Sequence, residues 1–407
     1  MSLSKLKALL ATFACCIAAS TSASIFDGDR IVEDLELSGF ARVIGGYLDT
    51  DDATFKGYDS DFNFKPDSLL GLQSVYTPID ELSITAQVIA HANDYDDNDH
   101  LHLEWLYLTY RPIESLQVKV GKLRTPFFTL SDVMDVGYAY PWVTPPQQVY
   151  NAYLFETFEG IDFIYRYGNA VFESSIEVYA GRYDGDINLA GQETDFSVRN
   201  MRGIIGKIQF DNLEFRVSRY AADVEFKDGP LSQLKNTLEL FGFSQSAHSL
   251  RTTGRADVSQ VGLIYDNINY FARTEWVNIR TDLEIAPKVE SYYLTLGYNF
   301  SPFILHLTYA SGKNDLGRQE QEIPFGVNPL LDGLAFGYDS VFNSITQDNL
   351  KSWTLGLRWD FRKNLAFKTE ATKLKANTGE EGFFTVIDDT NFDRNANLYL
   401  IGLEWVF

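Results

Sequence analysis

The stretch Ser352-Trp353-Thr354-Leu355-Gly356-Leu357-Arg358-Trp359-Asp360-Phe361 decides how the rest of the chain is read. Trp353, Leu355, Leu357, Trp359 and Phe361 alternate with Ser352, Thr354, Gly356, Arg358 and Asp360. A period of two puts the apolar set on one face of a β-strand and the polar set on the other. Arg362-Lys363-Asn364 then supplies a turn, and alternation resumes from Leu365. Working outward, the pattern recurs along the chain. Leu82, Ile84, Ala86, Val88 and Ala90 alternate with Ser83, Thr85 and Gln87; Leu35, Leu37, Gly39, Ala41, Val43 and Gly45 alternate with Glu36, Ser38, Phe40, Arg42 and Ile44. Sixteen such segments begin near residues 35, 68, 82, 101, 116, 159, 171, 201, 213, 255, 268, 291, 303, 350, 365 and 397.

The connectors alternate as well. Seven are tight and built on turn formers: 77–80, 111–114, 167–169, 211–212, 266–267, 301–302 and 362–364. The other eight are long: 48–67, 91–100, 123–158, 182–200, 222–254, 280–290, 311–350 and 376–396. One trimmed rim and one looped rim predict an all-β fold: a transmembrane antiparallel β-barrel of about sixteen strands, with short periplasmic turns and long extracellular loops. A soluble sandwich or propeller is the alternative, but it imposes no such asymmetry, and a repeat of about 24 residues is short for a four-stranded blade. Trp105, Tyr107, Trp276, Tyr292, Tyr298, Trp353, Trp359, Tyr399 and Trp405 lie towards strand ends, where interfacial girdles are expected.

Lys5 and Lys7 precede an apolar run over 8–19 and the small residues Ser20-Thr21-Ser22-Ala23, which reads as an export signal cut after Ala23. The run is too short for a membrane anchor. Thr12-Phe13-Ala14 makes a poor lipoprotein box for Cys15 or Cys16. Both cysteines belong to this segment, so no disulfide framework is expected in residues 24–407, of which 24–34 form a short lead into the barrel at 35–407.

The 407 residues carry 34 Lys+Arg against 56 Asp+Glu, a formal charge of −22. That balance excludes nucleic acid as a partner, since phosphate binding needs a basic surface. A mean hydropathy of −0.16 excludes a bundle of membrane helices, and abundant aromatics exclude disorder. The acidity is local. The eight long connectors hold 13 basic and 35 acidic residues, or −22 of the −24 that remains without residues 1–23. Carboxylates on that rim are placed to share divalent cations with lipopolysaccharide and to enrich cations at the mouth.

The last segment, Asn397-Leu398-Tyr399-Leu400-Ile401-Gly402-Leu403-Glu404-Trp405-Val406-Phe407, resembles the C-terminal insertion signal of Gram-negative outer-membrane proteins, with Tyr399, Trp405 and Phe407 on its apolar face. Leu37-Ser38-Gly39-Phe40-Ala41-Arg42 through Tyr47 resembles the first strand of the general porins. Gly121-Lys122-Leu123-Arg124-Thr125-Pro126 resembles the end of their fifth strand, with Lys122 where arginine is more common. The resemblance covers 35–407 and implies a sixteen-stranded porin, assembled as a homotrimer, inserted by the barrel assembly machinery and bounded by outer-membrane lipid and lipopolysaccharide. It implies passive diffusion of small hydrophilic solutes and ions, with no cofactor and no metal centre, and a third loop that narrows the channel.

That third loop is the proline- and aromatic-rich connector 123–158. It reads as a constriction or, alternatively, as an ordered extracellular lid; its aromatics are also candidates for a sugar slide in a substrate-selective porin. Lys122 and Arg124 facing Asp132 and Asp135 form the candidate selectivity ring. Period two assigns Arg42, Lys119, Arg216, Arg273, Arg358 and Lys368 to the lumen. The acidic lumen set is Glu36, Glu104, Asp162, Glu173, Glu177, Glu214, Asp257, Glu275, Asp360, Glu370 and Glu404, many of which serve only to solvate a polar face. Asp94-Tyr95-Asp96-Asp97-Asn98-Asp99 begins like a calcium loop but lacks its glycine and terminal glutamate. Leu231, Leu234, Leu238 and Phe241 have helical spacing. The histidines His91, His100, His102, His248 and His306 have no serine-nucleophile motif beside them, so an enzyme is disfavoured. The lead is too short for the plug of a TonB-dependent transporter; a structural or adhesin barrel remains the other class.

Overall fold

Alternating sequence forms strands because each face then meets one solvent, and closure leaves no unpaired edge. The computed structural model describes residues 34–93, 100–151, 155–189, 192–317, 321–345, 349–377, 380–388 and 390–407. The proposed leader, Cys15, Cys16 and the acidic run 94–99 lie outside them. Sixteen strands close into one antiparallel barrel: β1 Leu35–Leu48, β2 Leu69–Ile79, β3 Leu82–His91, β4 Leu101–Ile113, β5 Leu116–Arg124, β6 Thr157–Gly168, β7 Glu173–Leu189 and β8 Gln192–Phe210. The second half runs β9 Leu213–Phe226, β10 Thr253–Asp266, β11 Tyr270–Thr281, β12 Lys288–Phe300, β13 Phe303–Asp315, β14 Leu350–Arg362, β15 Leu365–Ala376 and β16 Asn395–Val406. Each strand pairs with its chain neighbours, and β16 closes on β1 through pairs such as Tyr399 with Tyr47 and Trp405 with Ala41. Among the described residues no helix is long and apolar enough to cross a membrane.

One expected connector is mostly strand. Residues 182–200 extend β7 and β8 to 17 and 19 residues, a hairpin that outruns its neighbours. Its polar residues had hidden the alternation. The helical spacing near 231 is borne out by α1, Gly229–Leu240, which Asp228 caps by accepting from the Leu231 amide at 2.9 Å. Two further helices join it, α2 Ser244–Ser249 and α3 Pro329–Asn343. The start of α3 is written in Asn328-Pro329, a cap followed by proline at the first helical position. Together they bury Leu238, Ala247, Leu250, Ala335, Tyr338 and Phe342 in a small core of their own.

The outer face carries two aromatic bands. Tyr298, Phe300, Trp359, Phe361, Trp405 and Phe407 lie near the tight turns, and Tyr47, Trp276, Tyr292, Trp353 and Tyr399 lie towards the looped rim; all are exposed on the barrel's outside. Trp105 and Tyr107 depart from the expected girdle. Trp105 sits opposite the buried Gln87, and Tyr107 opposite the buried Thr85, so both face inward.

The inner face is not uniformly polar either. Ile44, Leu48, Leu374, Leu398 and Leu400 point inward near the looped rim, where the connectors after β1 and β15 fold over them. A short ribbon pairing Ala53–Phe55 with Phe384–Val386 brings Phe55, Tyr58, Phe384 and Phe392 into the same core. The barrel is therefore partly filled by its own loops.

Candidate pore constriction

The connector 123–158 has little regular structure, so its backbone polar groups need partners from elsewhere. The barrel wall supplies them. Lys368 Nζ donates to the carbonyls of Gly137 (2.6 Å), Tyr140 (2.9 Å) and Trp142 (2.7 Å) and is 0% exposed. Arg358 donates to Tyr138 (2.7 Å) and Tyr140 (3.1 Å), Arg42 to Val143 (2.6 Å), and Arg216 to Pro126 (2.6 Å). Arg42 also pairs with Glu404 at 3.3 Å, and Arg358 with Asp360 at 2.9 Å. These four cations face inward as period two requires, but they hold a loop and do not line open water.

Acidic and neutral wall groups complete the hold. Glu275, 0% exposed, accepts from the Thr129 amide (3.0 Å), the Tyr150 hydroxyl (2.7 Å) and Gln260 (2.9 Å). Burial and the Glu275 carboxylate keep the Tyr150 hydroxyl well above the usual phenol range, so it remains a donor. Glu370 accepts from the Val143 amide at 2.9 Å, and Thr308 accepts from the Trp142 indole at 2.9 Å. Phe127 stacks on Tyr220 of β9 at 3.9 Å, and Trp142 meets Tyr293 of β12 edge-on at 5.7 Å. The loop thus crosses the lumen and touches β9 to β15 and β1. Its aromatics Phe127, Phe128, Tyr140, Trp142 and Tyr150 are all buried, each burial stabilising by roughly 1.5–3 kcal/mol. Rings used this way present no flat face to a passing solute, which removes these five from the sugar-slide expectation.

The expected selectivity ring divides. Arg124 Nη1 meets Asp135 at 2.9 Å, Glu104 at 2.6 Å and Glu156 at 3.2 Å. Glu104 reaches the interior through a bulge: Gln87 pairs with Trp105 and Val88 with Leu103, so Glu104 is the extra residue and both it and Trp105 end up inside. His102 adds a contact to Glu104 at 3.0 Å. The three carboxylates have the mutual spacing of a metal site, but the Arg124 guanidinium sits among them and offsets part of their charge. Glu156 lies deep within the barrel although water reaches half its side chain. That enclosure, with the nearby Asp135 and Glu104 carboxylates, pushes its carboxyl up to about 7.

Lys122 stays outside this cluster. It sits opposite the outward Leu106 and Glu159, and its ammonium donates to the Leu103 carbonyl at 2.6 Å. The positive φ of Gly121 (142°) shapes this end of β5; a Cβ there would collide with the Leu106 carbonyl oxygen. Asp257 is also corrected. It alternates with the buried Val258 and Gln260, lies on the outer face, and pairs with Arg219 (3.5 Å) and Arg255 (3.2 Å). Glu36, Glu173, Glu177 and Glu214 keep the inner face, and Arg273 lies inside over Trp142 at 5.8 Å.

Beside the loop lies a chamber of about 230 Å³ against β2, β4, β5, β6 and β7. Lys119, Arg124, Asp132, Asp162 and Glu177 supply its charge, and Trp105, Tyr107 and Phe158 its rings. Lys119 and Asp162 face each other at 3.5 Å, and Tyr107 lies under the Lys119 ammonium at 5.9 Å. Asp132 belongs to this chamber, whereas Asp135 belongs to the Arg124 cluster.

A closed sixteen-stranded antiparallel barrel with two aromatic bands and an inward-folded third loop is a barrel of the outer-membrane porin type. No protein-family model and no curated protein matches the chain. Among solved structures, Salmonella typhi OmpF in complex with daunomycin aligns over 92% of this chain and 97% of its own, with a TM-score of 0.54 and 13% identity. Outer-membrane expressed OmpT of Vibrio cholerae aligns over 92% and 97%, with a TM-score of 0.52 and 11% identity. A trimer form of OmpT, folded in vitro, aligns over 92% and 99% with a TM-score of 0.50 and 14% identity. At these identities the likeness is one of fold.

Proposed function

We propose that this protein is an outer-membrane porin of restricted bore, a passive channel for small hydrophilic solutes and ions with no covalent step. The observation that carries this reading is the loop pinned across the lumen by Arg42, Arg216, Arg358 and Lys368, with a charged chamber beside it. A chamber of about 230 Å³ has the liquid volume of roughly eight waters, which suits ions and small solutes. Asp132, Asp162 and Glu177 outnumber Lys119 and Arg124 there, and Arg124 is already outweighed by Glu104, Asp135 and Glu156, so cations are favoured.

The same reading takes residues 1–23 as the export signal. It takes Tyr399, Trp405 and Phe407 as the element read by the barrel assembly machinery, and the functional unit as a homotrimer among outer-membrane lipids. Purified protein in a planar bilayer should give small, cation-preferring single-channel steps, with a reversal potential of that sign under a KCl gradient; absence of conductance overturns the porin. Deleting residues 127–150 should raise the step size several-fold, and an unchanged step would place the restriction elsewhere. A heat-dissociable trimer band on a gel tests the assembly. A substrate-selective channel is the second reading, favoured by Trp105 and Tyr107 lining the same chamber as the Asp132, Asp162 and Glu177 carboxylates, a surface that suits a sugar or an organic cation. Solute-induced current block distinguishes it from a general pore.

A further inference from the structure

The geometry points to a binding site for a phosphorylated lipid headgroup on the outside of the barrel, across β6 to β10. An open groove of about 670 Å³ runs there, with Arg182, Arg199, Arg202 and Arg255 in its lining against only Glu159 and Asp223. Such a density of guanidinium groups is unusual on the face of a barrel that elsewhere presents Val, Leu, Phe and Trp to lipid.

The basic lining is built by a break in the strand. Asn200 has φ of 50°, and the register of β8 skips against both neighbours at this level, between Ala221 and Asp223 on β9 and between Gly181 and Tyr183 on β7. In a regular strand two residues three apart lie on opposite faces. The bulge turns both Arg199 and Arg202 outward, while Val198 and Met201 remain buried inside. Between the arginines the floor consists of Ala180, Gly181, Ala221 and Ala222, small enough for a ligand to approach the backbone.

The charges do not cancel within the groove. Arg182 is held by Glu159 at 3.0 Å and Arg255 by Asp257 at 3.2 Å, while Asp223 accepts from the Asn200 amide at 2.7 Å. Arg199 and Arg202 stand exposed and add their charge to the rim. Guanidinium forks match phosphate oxygens in a bidentate manner, which favours phosphate over a single carboxylate.

The surroundings select a lipid over a free anion. One rung below Arg202 on the same outer face, Phe163, Val178 and Ile204 lie side by side, with the exposed Arg219 ending the rung on β9; Val217 continues the apolar surface one rung further towards the tight turns. A phosphate at the arginines would therefore hang its acyl chains along surface already suited to hydrocarbon. The site lies at the looped-rim boundary of the apolar band, the depth at which an outer-leaflet headgroup sits.

The test compares full-length wild type with R199Q/R202Q by native mass spectrometry from detergent, using diphosphoryl lipid A, phosphatidylethanolamine and inorganic pyrophosphate as separate probes. Lipid A should be retained by wild type and at least tenfold more weakly by the double variant, with K363Q at a tight turn unchanged. Heat-modifiable gel mobility reports folding; if the double variant fails to fold, R202Q alone should weaken lipid A about threefold. Equal retention of lipid A by wild type and variant overturns the site. Phosphatidylethanolamine held as tightly as lipid A overturns the phosphate recognition, and pyrophosphate bound as tightly with the same loss in the variant overturns the lipid.

Discussion

Replacing Lys368 with methionine tests whether the wall cations clamp the loop. The side chain keeps its length and loses its charge and three donors. The carbonyls of Gly137, Tyr140 and Trp142 then lose their partner, and Glu404, 3.8 Å from the ammonium, keeps only Arg42. Removing one member of a buried charged cluster costs about 3–5 kcal/mol. At about 1.4 kcal/mol per decade this raises the population of a loosened 137–142 segment by roughly a hundredfold to a few thousandfold. The loop would remain tethered at Arg216 and Glu275, so the barrel itself should fold. Single-channel recordings in planar bilayers should then show frequent excursions to larger conductance levels and added current noise, where wild type holds one level. A K368M barrel that folds normally, by its shift in gel mobility on heating, yet conducts with wild-type amplitude and noise would refute the clamp.

Three further outcomes are expected. Substituting Asp132 and Asp162 together with asparagine should lower the cation-to-anion permeability ratio, by roughly fivefold for about 1 kcal/mol of attraction lost at ~4 Å in an aqueous lumen, read as a reversal-potential shift. Gly121→Ala should lower the urea midpoint of unfolding by an amount equivalent to about 1–3 kcal/mol, since the residue has φ of 142° and a Cβ would meet the Leu106 carbonyl. Glu156, with its carboxyl pushed up to about 7, contributes stability that is fully present below its ordinary range near 4.5 and is lost as pH rises through 7. Resistance to urea should therefore fall between pH 5 and pH 8, and Glu156→Gln should flatten that dependence.

The barrel was legible because strands facing two media must alternate, and residues such as Trp353 to Phe361 announce which medium each face meets. Turn chemistry separated the tight rim from the looped one. Alternation failed where it was interrupted. The bulge at Glu104 sends both it and Trp105 inward, and no local residue type marks a bulge of that kind. Asp257 was misassigned because a charge on a strand suggests the lumen, whereas this one pairs with outward arginines near the interface. Lys122 and Arg124 would share a face only in a regular strand, but the strand ends here, and Leu123 and Arg124 in succession are both buried while Lys122 stays outside.

The sequence by itself determined the sixteen crossings, the two rims, the outer aromatic bands and the identity of the long third loop, because each of these follows from local periodicity and turn formers. Only the tertiary structure decided what the inward cations do. Arg42, Arg216, Arg358 and Lys368 come from strands spread around the barrel, and they meet the carbonyls of one connector 89 to 231 residues away in the chain. Period two assigns a side chain to the lumen, but it carries no information about whether water or another part of the chain fills the space opposite. That depends on closure of the barrel, which brings distant walls to the same loop and turns a polar lining into a set of hydrogen-bond donors for its backbone.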